Sequence, residues 1–122
     1  MSGVIIAVVD DMFFASKIRA VAEAVGVEIS FVRSGEALIE KAREAQPQLI
    51  VVDLHNQKVD AVTLAKNLKA DEELRSIRLL GFFSHVQTEL QRNALGAGFD
   101  QVIPRSVFAR DLPKILTADL CG

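Results

Sequence analysis

Residues 4–11 read Val-Ile-Ile-Ala-Val-Val-Asp-Asp, and residues 49–53 read Leu-Ile-Val-Val-Asp. Each is an apolar run of strand length that ends on acid. A strand apolar at every position is covered on both faces, as in parallel sheets flanked by helices. If the two are neighbours, Asp10, Asp11 and Asp53 meet at one edge of one sheet. Carboxylates that close repel, and a cation offsets the charge. Mg²⁺ suits such a place because it takes oxygen ligands, one or two carboxylates together with phosphate oxygens.

Working outward, residues 27–32, 79–83 and 101–103 complete a set of five expected strands. The run 27–32 alternates in polarity for most of its length, which places it near a sheet edge with one side exposed. Helical stripes separate the strands. Phe14, Ile18, Val21, Ala22 and Val25 share one face, and Gly26 follows as a left-handed cap. Ser34 is the N-cap of a second helix carrying Leu38, Ile39, Ala42 and Ala45, stopped by Pro47. Ala61, Leu64, Ala65 and Leu68 mark a third. Leu90, Ala94 and Leu95 mark a fourth that ends at Gly96 or Gly98, too late in a strand–helix unit to be a phosphate-binding glycine motif. The last helix is expected near Asp111, with Pro113 in its first turn and Leu112, Ile115 and Leu116 facing inward.

Alternating strands and helices predict an α/β fold, a (βα)₅ doubly wound parallel five-stranded sheet with right-handed crossovers. The 122 residues fit a single domain, with a core over about 4–118. Half the residues are hydrophobic and a quarter charged, with a net charge of −2. That balance offers no field for nucleic acid or an anionic membrane, and no apolar run is long enough to span a bilayer. With one cysteine, Cys121, and no signal-peptide pattern, the expected location is cytoplasmic.

In open α/β sheets the site lies beyond the carboxyl ends of the strands, where strand order switches. Asp10, Asp11, Asp53, Ser84 and Arg105 all stand at such ends. A divalent cation there would be held by Asp11, Asp53 and the backbone carbonyl of His55, with Asp10 reaching it through water. Asp53 could then attack phosphorus, while Ser84 and Arg105 contact phosphoryl oxygens. Each residue also has a plainer role. Asp10 and Asp11 suit a helix N-terminus, Ser84 could cap the fourth helix, and Arg105 could pair with Asp53. His55 and His85 read as ordinary loop histidines. Met12 and Phe13 should face the rim or solvent, as a partner surface or packed on the loop after the third strand.

The ordered set Val8-Val9-Asp10-Asp11, Val51-Val52-Asp53-Leu54, Asp60, Ser84, Ala97-Gly98 and Pro104-Arg105 resembles the response-regulator receiver family, chemotaxis regulators included. The resemblance runs from Val4 to Leu116 and implies the flavodoxin-like strand order 2-1-3-4-5. It implies a signalling domain, not an enzyme, in which Asp53 takes a phosphoryl group from a histidine kinase or phosphotransfer protein with Mg²⁺ and Ser84 is the switch hydroxyl. A stand-alone receiver would act on a downstream protein in trans, and a homodimer is compatible with this.

Several positions depart from the family pattern. Arg105 stands in place of lysine, Ser106 in place of proline, Gln57-Lys58 in place of Pro-Gly, Ala61 in place of glycine and Val102 in place of Tyr or Phe. Valine cannot rotate inward as an aromatic ring does. These departures motivate the alternative of a phosphorylation-independent pseudo-receiver, a protein-interaction module. A small phosphohydrolase using Asp53 is disfavoured because nothing resembles a second catalytic acid.

Overall fold

The computed structural model describes residues 4–56 and 58–117; Gln57 and Cys121 lie outside them. The elements, in order, are β1 (Val4–Val8), α1 (Met12–Val25), β2 (Glu28–Phe31), α2 (Gly35–Ala45), β3 (Leu49–Asp53), α3 (Ala61–Ala70), β4 (Arg78–Phe83), α4 (Thr88–Ala97), β5 (Gln101–Pro104), α5 (Arg105–Arg110) and α6 (Leu112–Thr117). The five strands form one parallel sheet, as the alternation predicted, in the order β2-β1-β3-β4-β5 that the resemblance implied. No helix among the described residues is long and apolar enough to cross a membrane.

Strand alternation divides the core into two layers. From β1, Ile6 and Val8 pack with Ile50, Val52, Leu64 and Leu79 on one face of the sheet. Ile5 and Ala7 pack with Phe14, Val51, Phe82 and Phe108 on the other. This is why β1 and β3 are apolar at successive positions. β2 has a buried neighbour on one edge only, and all its residues remain at least partly exposed.

The expected caps are present. Gly26 closes α1 at φ +77°, and Ser34 Oγ accepts the Ala37 N–H at 3.0 Å to start α2. α4 stops at Gly98, whose φ of +126° suits a residue without Cβ. Two expectations need correction. Leu95 is exposed, because Leu90, Ala94 and Ala97 follow the inward stripe and Leu95 lies a residue's rotation beyond it. The final helix is also preceded by another. α5 begins directly after Pro104 and buries Phe108, and a bend at Asp111 separates it from α6. Pro113 has no N–H to offer the Ala109 carbonyl, so the two segments cannot run on as one regular helix.

Candidate functional site

Because β1 and β3 are adjacent, with Val8 opposite Val52, their C-terminal residues share one rim of the sheet. The chain leaves β1 toward β2 on one side and returns through β3 on the other, so this rim is the point where strand order switches. Asp53 ends β3 and is, among the described residues, the buried charged one, 9% exposed. Its Oδ1 accepts the N–H of His55 at 2.9 Å, a two-residue turn that fixes the carboxylate against its own loop. Among the described residues, no cationic side chain pairs with Asp53.

Asp11 is bound on both oxygens. Its Oδ1 accepts the N–H groups of Phe13 (2.9 Å) and Phe14 (3.1 Å), making it the N-cap of α1. Its Oδ2 accepts from Arg105 Nη2 at 2.9 Å. The Phe14 amide and then the Arg105 guanidinium hold its pKa below the ordinary carboxylate value. Arg105 therefore pairs with Asp11, not with Asp53. The guanidinium also lies 3.9 Å over the ring of Phe14, in cation–π contact. Asp10, more exposed, has Lys58 Nζ at 3.6 Å from its Oδ1.

The rest of the rim is looser. Ser84 is exposed and lies outside α4, whose N-cap is Gln87, so it does not cap that helix. The two histidines, read as unrelated, are in contact. Their rings stand edge to face with centroids 5.6 Å apart, and the His85 N–H points at His55 Nε2 across 3.4 Å. They join the loops after β3 and β4, a long-range contact that no local spacing signals. Met12 and Phe13 are 64% and 91% exposed, so Phe13 does not pack on the β3 loop. Asp60 is the N-cap of α3, accepting from Val62 and Thr63, with the Thr63 amide foremost in lowering its pKa. Val102 lies partly buried on β5.

The donor set Asp10, Asp11, Asp53 and the His55 carbonyl is all oxygen and fits a hard divalent ion in chemistry. In this structure the protein's own donors answer its charge, namely Lys58, Arg105 and three backbone amides. Among the described residues, no group of three His, Cys, Asp or Glu side chains is already gathered around a common centre.

A switch-point rim built from acids at the ends of the first and third strands defines an α/β domain of receiver type. The chain belongs to the response regulator receiver domain family, matched over residues 5–117. Among curated relatives it is 31% identical over 84 residues to the response regulator protein VraR of Staphylococcus saprophyticus, covering 69% of this chain and 39% of that protein. VraR of Staphylococcus aureus is 34% identical over 79 residues, covering 65% of this chain and 37% of that protein. The chain thus spans under half the length of these relatives. The fold is that of the chemotaxis response regulator CheY4 of Vibrio cholerae, with a TM-score of 0.82, 16% identity, and coverage of 95% of this chain and 97% of that one. It is also that of the receiver domain of a sensor histidine kinase from Pseudomonas aeruginosa, described with a magnesium ion coordinated in its active-site cleft. There the TM-score is 0.85 and the identity 18%, with both chains fully covered.

Proposed function

We propose that this domain accepts a phosphoryl group on Asp53 and signals in the cytoplasm by contact with another protein. One observation supports the assignment above the rest. Asp53 sits nearly buried at the switch-point rim, with Oδ1 held by the His55 amide and, among the described residues, no cationic side chain paired with it. Its Oδ2 takes none of the side-chain or amide hydrogen bonds among the described residues, so it is the oxygen free to act as nucleophile. Attack on a phosphohistidine would form an oxygen–phosphorus bond and break the phosphorus–nitrogen bond. The imidazole leaves with the electron pair, and the product is an aspartyl phosphate.

The donor is a histidine kinase or phosphotransfer protein, and the target is a protein engaged in trans. Ser84 and Arg105 contact the bound phosphoryl group. Asp10, Asp11, Asp53 and the His55 carbonyl would hold Mg²⁺, which neutralises charge on a transferring phosphoryl group when bound. Mass spectrometry after incubation with acetyl phosphate and Mg²⁺ tests the proposal. One phosphoryl added to the wild type and none to Asp53→Asn is the expected result; no adduct on the wild type refutes it.

The engagement of Arg105 by Asp11 and Phe14 favours a second reading, a pseudo-receiver that binds partners without phosphate. It predicts partner binding unchanged in Asp53→Asn, whereas a working phosphoacceptor predicts loss of the phosphate-dependent component.

A further inference from the structure

We propose that the foot of the sheet, at the end opposite the acidic rim, carries a binding pocket for a small carboxylate with an apolar body. The pocket lies among the first residues of β3, β4 and β5, and it stands independently of the phosphoacceptor reading.

Its existence follows from the bend at Asp111. α5 lies over β4 and β5, whereas α6, set off by the Pro113 break, packs on α1. Neither short helix covers the strand starts completely, and a cavity of about 260 Å³ remains between them and α6. That is just under the range typical of drug-sized ligands, so the space suits a smaller molecule. Leu49, Leu80 and Ile115 form its apolar wall. In the sheet register Leu49 stands opposite Arg78 and Leu80 opposite Gln101. Residues two apart on a strand share a face, so Arg78 lies beside Leu80 on the side that α6 overlooks. Asp111 and Lys114 border the cavity from the helical side.

Charge selects the occupant. Asp111 is held through both oxygens by Arg110, at 3.1 Å each, and Lys114 acts on it only from beyond ion-pair distance. Asp100, at the start of β5, accepts the Leu79 N–H at 2.8 Å and faces Lys69 at 3.8 Å. Among the described residues, no carboxylate pairs with Arg78 or Lys114. Two unanswered cations therefore border an apolar wall, on a chain whose net charge is −2. A partly buried guanidinium has given up part of its water, and an anion restores the balance. Its planar fork matches the two oxygens of a carboxylate, while Lys114 adds a point charge. The apolar body then lies on Leu49, Leu80 and Ile115. An amine of the same shape meets repulsion, and a neutral analogue leaves the fork unpaired.

The test is a ¹H–¹⁵N NMR titration of the full chain with sodium benzoate, balanced with sodium chloride to fixed ionic strength. Benzylamine and benzyl alcohol serve as the cationic and neutral counterparts. Expected for benzoate is a saturable shift of the Arg78, Leu80, Gln101 and Ile115 amides, with Kd on the order of 1 mM and the amides of Asp11 and Asp53 unmoved. Both counterparts should bind at least about tenfold more weakly. Arg78→Gln should weaken benzoate about tenfold, and the exposed Lys114→Gln about threefold. No saturable shift at these amides, equal affinity for benzyl alcohol, or a shift centred on Asp11 and Arg105 instead overturns the site. So does wild-type affinity in both variants. Should Arg78→Gln lose its dispersed spectrum, Lys114→Gln and the three wild-type titrations decide.

Discussion

Replacing Phe14 by leucine tests how the rim is anchored to the core. Phe14 is nearly buried; its ring meets Phe82 at 5.3 Å and Phe108 at 5.8 Å, and carries the Arg105 guanidinium at 3.9 Å. Leucine keeps most of the volume, so the cavity contribution is small and the lost interactions dominate. Two aromatic pairs at about 0.5–1.5 kcal/mol each and a partly exposed cation–π contact at about 0.5–1 kcal/mol give a total of about 1.5–4 kcal/mol. For a chain of this size that lowers Tm by roughly 6–16 °C. The sequence contains no Trp or Tyr, so circular dichroism under heat or urea is the suitable readout.

The sharper measurement is a double-mutant cycle with Arg105→Met. If Phe14 supports the guanidinium, the two substitutions are non-additive, with a coupling of about 0.5–1 kcal/mol. Additivity within about 0.3 kcal/mol would mean that the stacking is geometric only. The aromatic seat would then not account for the firmness of arginine on Asp11.

Three further outcomes are expected. Asp11 has a folded-state pKa below its ordinary value of 3.8, so its contribution is full above that value and is lost as pH falls through the lower folded value. Urea midpoints measured across this acid range should therefore fall less steeply for Asp11→Asn than for wild type; equal slopes would show that Asp11 carries no such linkage. Gly81→Ala should cost about 1–3 kcal/mol, because a Cβ on β4 would meet Leu54 Cδ2 at 2.8 Å and Phe99 Cδ1 at 3.2 Å; an unchanged urea midpoint would contradict this. Phe13→Ser should leave thermal stability within about 0.5 kcal/mol, since that ring is 91% exposed and packs in neither core layer.

The sheet was legible because its strands are written in apolar runs whose ends are polar. The edge position of β2 followed from its alternation, whereas the order of the strands came through the resemblance of the strand-end residues, since a doubly wound sheet admits more than one order. The helix α5 was hidden because it is short, its inward anchor is the single fully buried Phe108, and Pro113 draws the eye to a later start. The acids were found where expected, at the ends of β1 and β3. Their partners were not. Arg105 turns to Asp11 with its guanidinium over the ring of Phe14, and nothing in the spacing of residues 11, 14, 53 and 105 expresses that choice. The His55–His85 contact was missed for the same reason, since each residue is unremarkable in its own loop and only the adjacency of β3 and β4 joins them.

The Asp11–Arg105 bond closes over 94 positions of chain, and Phe14 reaches Phe108 across the same stretch. As the polypeptide emerges during synthesis, the acid precedes its guanidinium by 94 positions. A growing chain can pair β1 with β2 and β3 well before Arg105 exists to answer Asp11. The rim thus stays electrically incomplete until the chain has been made past β5.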